Sequence, residues 1–230
     1  RFRVAAASLA SVPQIFLSNV NMWVKDAAAT VPGKMTVGTG GTSTTGDSGN
    51  CYEHAAFRLS NNLTVNGAFT VPAGQIVRAA TDETVNAELS LQGGLYGSGE
   101  LRVSGDYKGT KTTVLKVAGG TFTGTLGLYN AYTDKASKGT ITLDGAELCP
   151  TLDMAPVTKG SLTVNVSQPM GLNKGSQLTA GRLNITGDAF ASLAEGKAAF
   201  TLAPGAAVAV GEDVVINLPA SCTPKAGQTM

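Results

Sequence analysis

From about residue 57 the chain alternates aliphatic and polar positions with period two, in short runs closed by glycine or proline. Gly139-Thr140-Ile141-Thr142-Leu143-Asp144, Gly160-Ser161-Leu162-Thr163-Val164-Asn165 and Gly181-Arg182-Leu183-Asn184-Ile185-Thr186 share one template: glycine, polar, aliphatic, polar, aliphatic, polar. Residues at i and i+2 of a strand lie on one face, so Ile141, Leu143, Leu162, Val164, Leu183 and Ile185 mark strands buried on one side only. Looser copies begin at Gly99 and Gly124, and other runs stop at small turns ending in Gly74, Gly120 and Gly205. No stretch after residue 50 sustains an i, i+3, i+4, i+7 stripe, so helix is expected to be nearly absent there.

The three templates start 21 residues apart. A sandwich of hairpins has no reason to restart the same glycine-led strand at that interval. A right-handed parallel β-helix does, because each coil uses about that length and stacks equivalent strands about 4.8 Å apart. The fold class expected is therefore all-β, a right-handed parallel β-helical solenoid. Equal spacing predicts an outward ladder of Thr142, Thr163 and Asn184 and an inward stack of Leu143, Val164 and Ile185. The organisation read from the chain is residues 1–50 as an N-terminal cap or irregular first coil followed by a Gly/Ser/Thr-rich loop (Gly38–Asn50), then solenoid repeats over 51–230. Trp23 is expected to cover the open end of the stack. The tail lacks the polar cap that solenoids need, which suggests truncation at the C-terminus.

Composition sharpens this picture. Hydrophobic residues make up 43% of the 230, enough to fold, while charged residues are only 14% against a usual quarter. Polarity comes from hydroxyls and amides, as suits stacked strands in which like charges would repel one another. Seventeen basic and 16 acidic residues leave a net charge of +1 without a run of either sign, which argues against nucleic acid as a partner. The most apolar long segment, residues 198–220, is broken by Pro204, Gly205, Gly211, Glu212, Asp213 and Pro219, so no membrane span is expected.

Candidate chemistry is sparse. Cys51, Cys149 and Cys222 are far apart and lack metal-ligand spacing; they read as small hydrophobes in preference to a disulfide, and the odd count leaves at least one thiol unpaired. Gly46-Asp47-Ser48-Gly49 resembles the surroundings of a serine nucleophile. However, the lone histidine, His54, follows the serine by six residues, and no partner constellation accompanies it. Asp144, Glu147 and Asp153 with Lys159 form the densest group of charges that a glycan-cleaving or calcium-binding β-helix could use. Asp144 would face neutral Asn165 in the next coil. Tyr96, Tyr107, Tyr129 and Tyr132 are the only tyrosines weighed as a sugar-stacking platform, and the sequons at Asn62, Asn165 and Asn184 carry little weight in a chain this rich in Asn and Thr. No catalytic, cofactor-binding or metal-ligating residue is assigned.

Leu95-Tyr96-Gly97-Ser98-Gly99-Glu100-Leu101-Arg102-Val103-Ser104-Gly105, followed by Gly120-Thr121-Phe122-Thr123-Gly124-Thr125-Leu126-Gly127-Leu128, resembles the autotransporter-associated β-strand repeat. The resemblance covers about residues 89–130 well, 131–218 loosely and the first fifty not at all. It implies an exported bacterial protein with a β-helical passenger displayed at the outer-membrane surface or outside the cell, active in adhesion towards glycans or proteins of a host or neighbouring cell. It carries no catalytic residues over. The expected function is a non-catalytic surface scaffold. The alternative is a carbohydrate-binding or glycan-active β-helix, such as a polysaccharide lyase or hydrolase.

Overall fold

The computed structural model describes residues 2–4, 9–40, 56–82, 84–106, 108–129, 137–157 and 159–219. The alternating runs form strands in successive coils. Opening the stack are β1 (Phe2–Val4) and β2 (Gln14–Leu17), then β3 (Met22–Val24), β4 (Ala29–Val31) and β5 (Lys34–Val37). The next coils hold β6 (Phe57–Leu59), β7 (Leu63–Val65) and β8 (Phe69–Val71), then β9 (Ile76–Thr81), β10 (Ala87–Leu91) and β11 (Leu95–Gly97). They are followed by β12 (Glu100–Ser104) and β13 (Thr112–Val117), β14 (Thr125–Leu128) and β15 (Ser137–Leu143), and β16 (Thr151–Met154), β17 (Gly160–Val166) and β18 (Met170–Leu172). The final coils comprise β19 (Gln177–Ile185), α1 (Gly187–Ala194), β20 (Phe200–Leu202) and β21 (Ala209–Asn217).

Every strand pair among the described residues is parallel, and each strand meets its equivalent one coil away, which makes the molecule a parallel β-helix. A first side stacks β1, β3, β6, β9, β12, β14 and β16, and a second stacks β4, β7, β10, β13, β15 and β17. The third side carries β2, β5, β8 and β11, with β18 and β20 further along. β19 runs around the corner: its start pairs with β16 on the first side and its end with β17 on the second. β21 repeats that course against β19 with one register shift.

The core is a set of inward columns. On the second side Ala29, Leu63, Leu89, Leu115, Ile141, Val164, Leu183 and Ile216 stack one per coil, and all but Ile216 are buried. Each fully buried Leu, Ile or Val contributes about 1.5–3 kcal/mol of hydrophobic stabilisation. Corners impose their own rule: a Cβ on Gly67 would lie 2.4 Å from the Gly33 carbonyl, and one on Gly93 would lie 2.3 Å from Gly67. These glycines recur because neighbouring coils touch backbone to backbone there.

Two expectations are corrected. Leu143, Val164 and Ile185 are all buried, but they do not form one column: Leu143 pairs with Val166, which pairs with Ile185, while Val164 sits between Ile141 and Leu183. Likewise Thr142 pairs with Asn165 and Asn165 with Asn184, whereas Thr163 lies between Thr140 and Arg182. Ile141 to Val164 is 23 residues and Val164 to Leu183 is 19, so the coils are unequal and the middle strand slides by two. A slip of two keeps every side chain on its own face, which is why burial follows the alternation and column membership does not.

Helix is nearly absent after residue 50, as the alternation implies: among the described residues there α1 alone is helical, between β19 and β20. Its Gly-Asp-Ala-Phe-Ala-Ser-Leu-Ala sequence is poor in β-branched residues, with Asp188 in the first turn and Ala189 buried. The second correction concerns Trp23, which does not cover an end. It lies on the outer side of β3, paired in register with Arg3 and Arg58. Residues 14–37 supply β2 to β5; β2 pairs with β5, and β3, β4 and β5 pair in parallel with β6, β7 and β8.

Candidate functional site

The outer surface of the first side carries the charge. Trp23 lies between Lys25 Nζ, 4.5 Å from the ring centroid, and Arg58 Cζ, 4.3 Å away, and its Nε1–H donates to Ser60 Oγ at 2.9 Å. Ser60 in turn donates to Asp82 Oδ2 at 2.7 Å, with Arg58 Nη2 at 3.8 Å from the same oxygen. Burial opposes ionisation of Asp82, but hydrogen bonds from Ser60 and from the hydroxyl and backbone N–H of Thr84, with Arg58 nearby, outweigh it. They hold its pKa below the ordinary carboxylate value. Two coils further on, Arg102 bridges Asp153 at 2.7 Å and Glu100 at 2.8 Å.

Loops at the corner between the first and second sides roof part of this surface. Asp106, almost fully buried, organises one of them by accepting from the backbone N–H groups of Lys108 and Lys111 and from Thr110 Oγ1. Arg78 is buried beneath the Tyr129 ring, its Cζ 4.2 Å from the centroid. Asn62 and Asn86 brace successive coils by accepting from the backbone N–H groups of Glu88 and Thr112. Asp82, Asp106 and Arg78 are thus structural polar groups that period-two reading does not single out. Of these polar groups only Asn62 and Asn86 leave a sequence signal, a short polar side chain just before a strand, each 26 residues ahead of the backbone N–H that it receives.

The outer surface of the second side is different in kind. One column runs Thr30, Thr64, Ser90, Lys116, Thr142, Asn165, Asn184 and Asn217. Its last members form a hydrogen-bonded row: Asn217 Nδ2 donates to Asn184 Oδ1 at 2.7 Å, Asn184 Nδ2 to Asn165 Oδ1 at 2.6 Å, and Asn165 Nδ2 to Thr142 Oγ1 at 3.1 Å. Lys116, the one charged member, is neutralised by Glu88 at 2.8 Å in the adjacent column.

One cleft of about 320 Å³ opens where the corner loops end, because β19 and β21 pass the corner as continuous strands. Gly181 makes the bend possible at φ +82°, where a Cβ would strike the Leu162 carbonyl oxygen at 2.4 Å. Buried Leu128, Met154 and Leu162 lie at the base, and exposed Arg182 and Asp213 stand on the wall. The lining offers apolar contact, one cation and one anion, but no pair of carboxylates.

The charges singled out from sequence do not converge. Asp144 is exposed at the end of β15 and accepts from Ser167 Oγ at 2.7 Å, so its neighbour in the next coil is a hydroxyl and not Asn165. Glu147 is exposed in the following turn, Lys159 in the loop before β17, and Asp153 is held by Arg102 on the first side. Among the described residues no three His, Cys, Asp or Glu side chains come together as a metal site. Cys149 is a half-buried free thiol. Cys51, Cys222, the Gly46–Gly49 run, His54, Tyr107 and Tyr132 lie outside the described residues. Of the tyrosines, Tyr129 stacks on Arg78, and Tyr96 stands half-exposed on the third side, in a column with Thr70, Thr36 and the exposed Phe16. No family model, curated protein or solved structure matches the chain.

Proposed function

We propose that the protein is a non-catalytic scaffold at or outside a bacterial cell surface, acting in attachment through repeated weak contacts with glycans or proteins of another surface. The observation that carries this reading is the outer column of the second side, a row of hydroxyls and amides repeated every coil with its one cation neutralised. Such a row offers the same donors and acceptors about every 4.8 Å, which suits low-affinity binding multiplied over many copies. The repeat resemblance over residues 89–130 supports the same reading.

Glycan cleavage would need an acid and a base facing one bond, and Asp144, Glu147 and Asp153 are spread over different sides. Beads coated with the protein are expected to bind cells or glycan arrays, whereas the free chain binds weakly. Thr64→Lys/Thr142→Lys, both in that column, should abolish bead binding with little change in melting temperature. Cleavage of pectin, mucin or a similar polymer, lost on replacing Asp144, Glu147 or Asp153, would overturn the reading in favour of an enzyme.

A further inference from the structure

The cleft at the corner between the first and second sides lies beside a change of register. Leu178 pairs with Val210 and Ala180 with Asp213, so β21 carries one residue more than β19 between these pairs. A bulge of this kind re-aims the side chains that follow it. Beyond it Val214 and Ile216 pair with Gly181 and Leu183 on the inward face, while Asp213 and Val215 are exposed on the outer one, beside Ala180 and Arg182.

Two charges are thereby left open on the cleft wall. In Arg182 and Asp213, as in Lys116 and Glu88, the cation lies two residues past the direct strand partner of the carboxylate. Lys116 and Glu88 close into an ion pair at 2.8 Å. Arg182 and Asp213 do not, and neither has another ion-pair partner among the described residues. The surface below them is apolar: Leu128 and Leu162 are each 6% exposed, Val157 is half-buried, and Val215 adds an exposed apolar wall.

We propose that this cleft binds a small zwitterion carrying an apolar group, a free apolar amino acid. The ligand's carboxylate lies on the Arg182 guanidinium, whose planar fork takes a carboxylate through two parallel hydrogen bonds. Its ammonium lies on Asp213, and its side chain covers Leu128, Leu162 and Val157, removing apolar surface from water. The charges select this class: a simple anion would meet Arg182 but be opposed by Asp213, a simple cation the reverse, and a neutral sugar would leave both charges unanswered. A volume of about 320 Å³ is at the small end for ligand clefts and suits one such molecule. The cleft opens on the flank of the stack and not at its end. It is a single site, distinct from the repeated row proposed for attachment.

Titration of isotope-labelled protein with L-leucine, followed by amide NMR, tests the proposal, because Gly160 and Gly181 line the cleft and report on it. The expected result is saturable shifts at these two amides with a Kd of about 1 mM or tighter. Glycine, which lacks the apolar group, should give none over the same range. Isocaproate and isoamylamine, which are leucine without its ammonium and without its carboxylate, should each bind about tenfold more weakly. Arg182→Gln and Asp213→Asn change exposed positions, and unchanged spectra away from the cleft show that each variant is folded. Arg182→Gln should weaken leucine about tenfold without weakening isoamylamine, and Asp213→Asn should weaken leucine about as much without weakening isocaproate. A misfolded variant cannot give that crossed pattern. The absence of saturable shifts up to about 20 mM leucine would overturn the proposal. So would leucine binding that survives both substitutions, or equal affinity for leucine and isocaproate, the mark of a site for any apolar anion.

Discussion

The outer surfaces of the first and second sides sit on the same kind of core yet solve the stacking problem in opposite ways. On the second side equivalent outward residues lie one above another, most of them half-buried, and the column is built from threonine, serine and asparagine with a single neutralised lysine. The first side accepts Arg58, Arg78 and Arg102 because each meets a countercharge or a ring: Asp82 for Arg58, Tyr129 for Arg78, Asp153 and Glu100 for Arg102. Corner loops supply Asp82, Asp106 and Tyr129, so the charged side is also the roofed side. A bare ladder tolerates neutral repetition, and charge enters where a loop brings a partner.

The largest expected effect separates inside from outside on the second side. Val164→Asp places an unpaired charge in a fully buried column and should cost about 3–5 kcal/mol in chemical denaturation, while Thr163→Asp one residue away should cost about 1 kcal/mol or less. Equal losses would mean that the strand does not present these faces. Next comes the corner: Gly67→Ala drives a methyl into the Gly33 carbonyl and is expected to cost about 1–3 kcal/mol.

Two smaller substitutions set the sides against each other directly. Asn184→Ala removes both a donation and an acceptance from the amide row, at about 0.5–1.5 kcal/mol per hydrogen bond, and Asn217→Ala at the row's end should lose about half as much. Asp153→Asn on the first side breaks a partly exposed ion pair worth about 1 kcal/mol or less. That loss should shrink in 1 M salt, whereas the Asn184→Ala loss should not. Denaturation curves at low and high salt distinguish the two, and identical salt dependence would erase the contrast.

How much of this was legible depends on what each residue reports. Period-two alternation identified Ile141, Val164 and Leu183 as inward because a strand reverses face at every residue. It could not identify which of them stack, since the lengths of the loops between strands decide that and sequence similarity among Gly139, Gly160 and Gly181 hides a slide of two. The helix at Gly187–Ala194 replaces a corner of the coil, and its one-and-a-half-sided Ala, Phe and Leu pattern is too short to stand out from alternation. The polar network of Ser60, Asp82 and Arg58 joins residues from neighbouring coils, so only register reveals it.

The mildest effect is on pH. Asp82 has a folded-state pKa below its unfolded value of about 3.9, so its contribution is full above that pH and fades as pH falls through the folded-state value. Asp82→Asn should therefore flatten the acid limb of a stability profile below about pH 4, while Thr142→Ala on the second side should leave its shape unchanged. An unchanged acid limb in Asp82→Asn would remove the charge network from the account of the first side.

Register is the claim on which both surfaces rest, and a disulfide reads it directly. In a background with Cys51, Cys149 and Cys222 replaced by serine, Thr142→Cys/Asn165→Cys places two thiols on directly paired outward positions, about 4.8 Å apart between Cα atoms. Thr142→Cys/Thr163→Cys places them two residues out of register, about 8 Å apart and beyond disulfide reach. Under mild oxidation the first pair should cross-link, losing two hydrogens by mass spectrometry, while the second stays reduced. Cross-linking of the second pair and not the first would restore equal 21-residue coils and contradict the stacking described above.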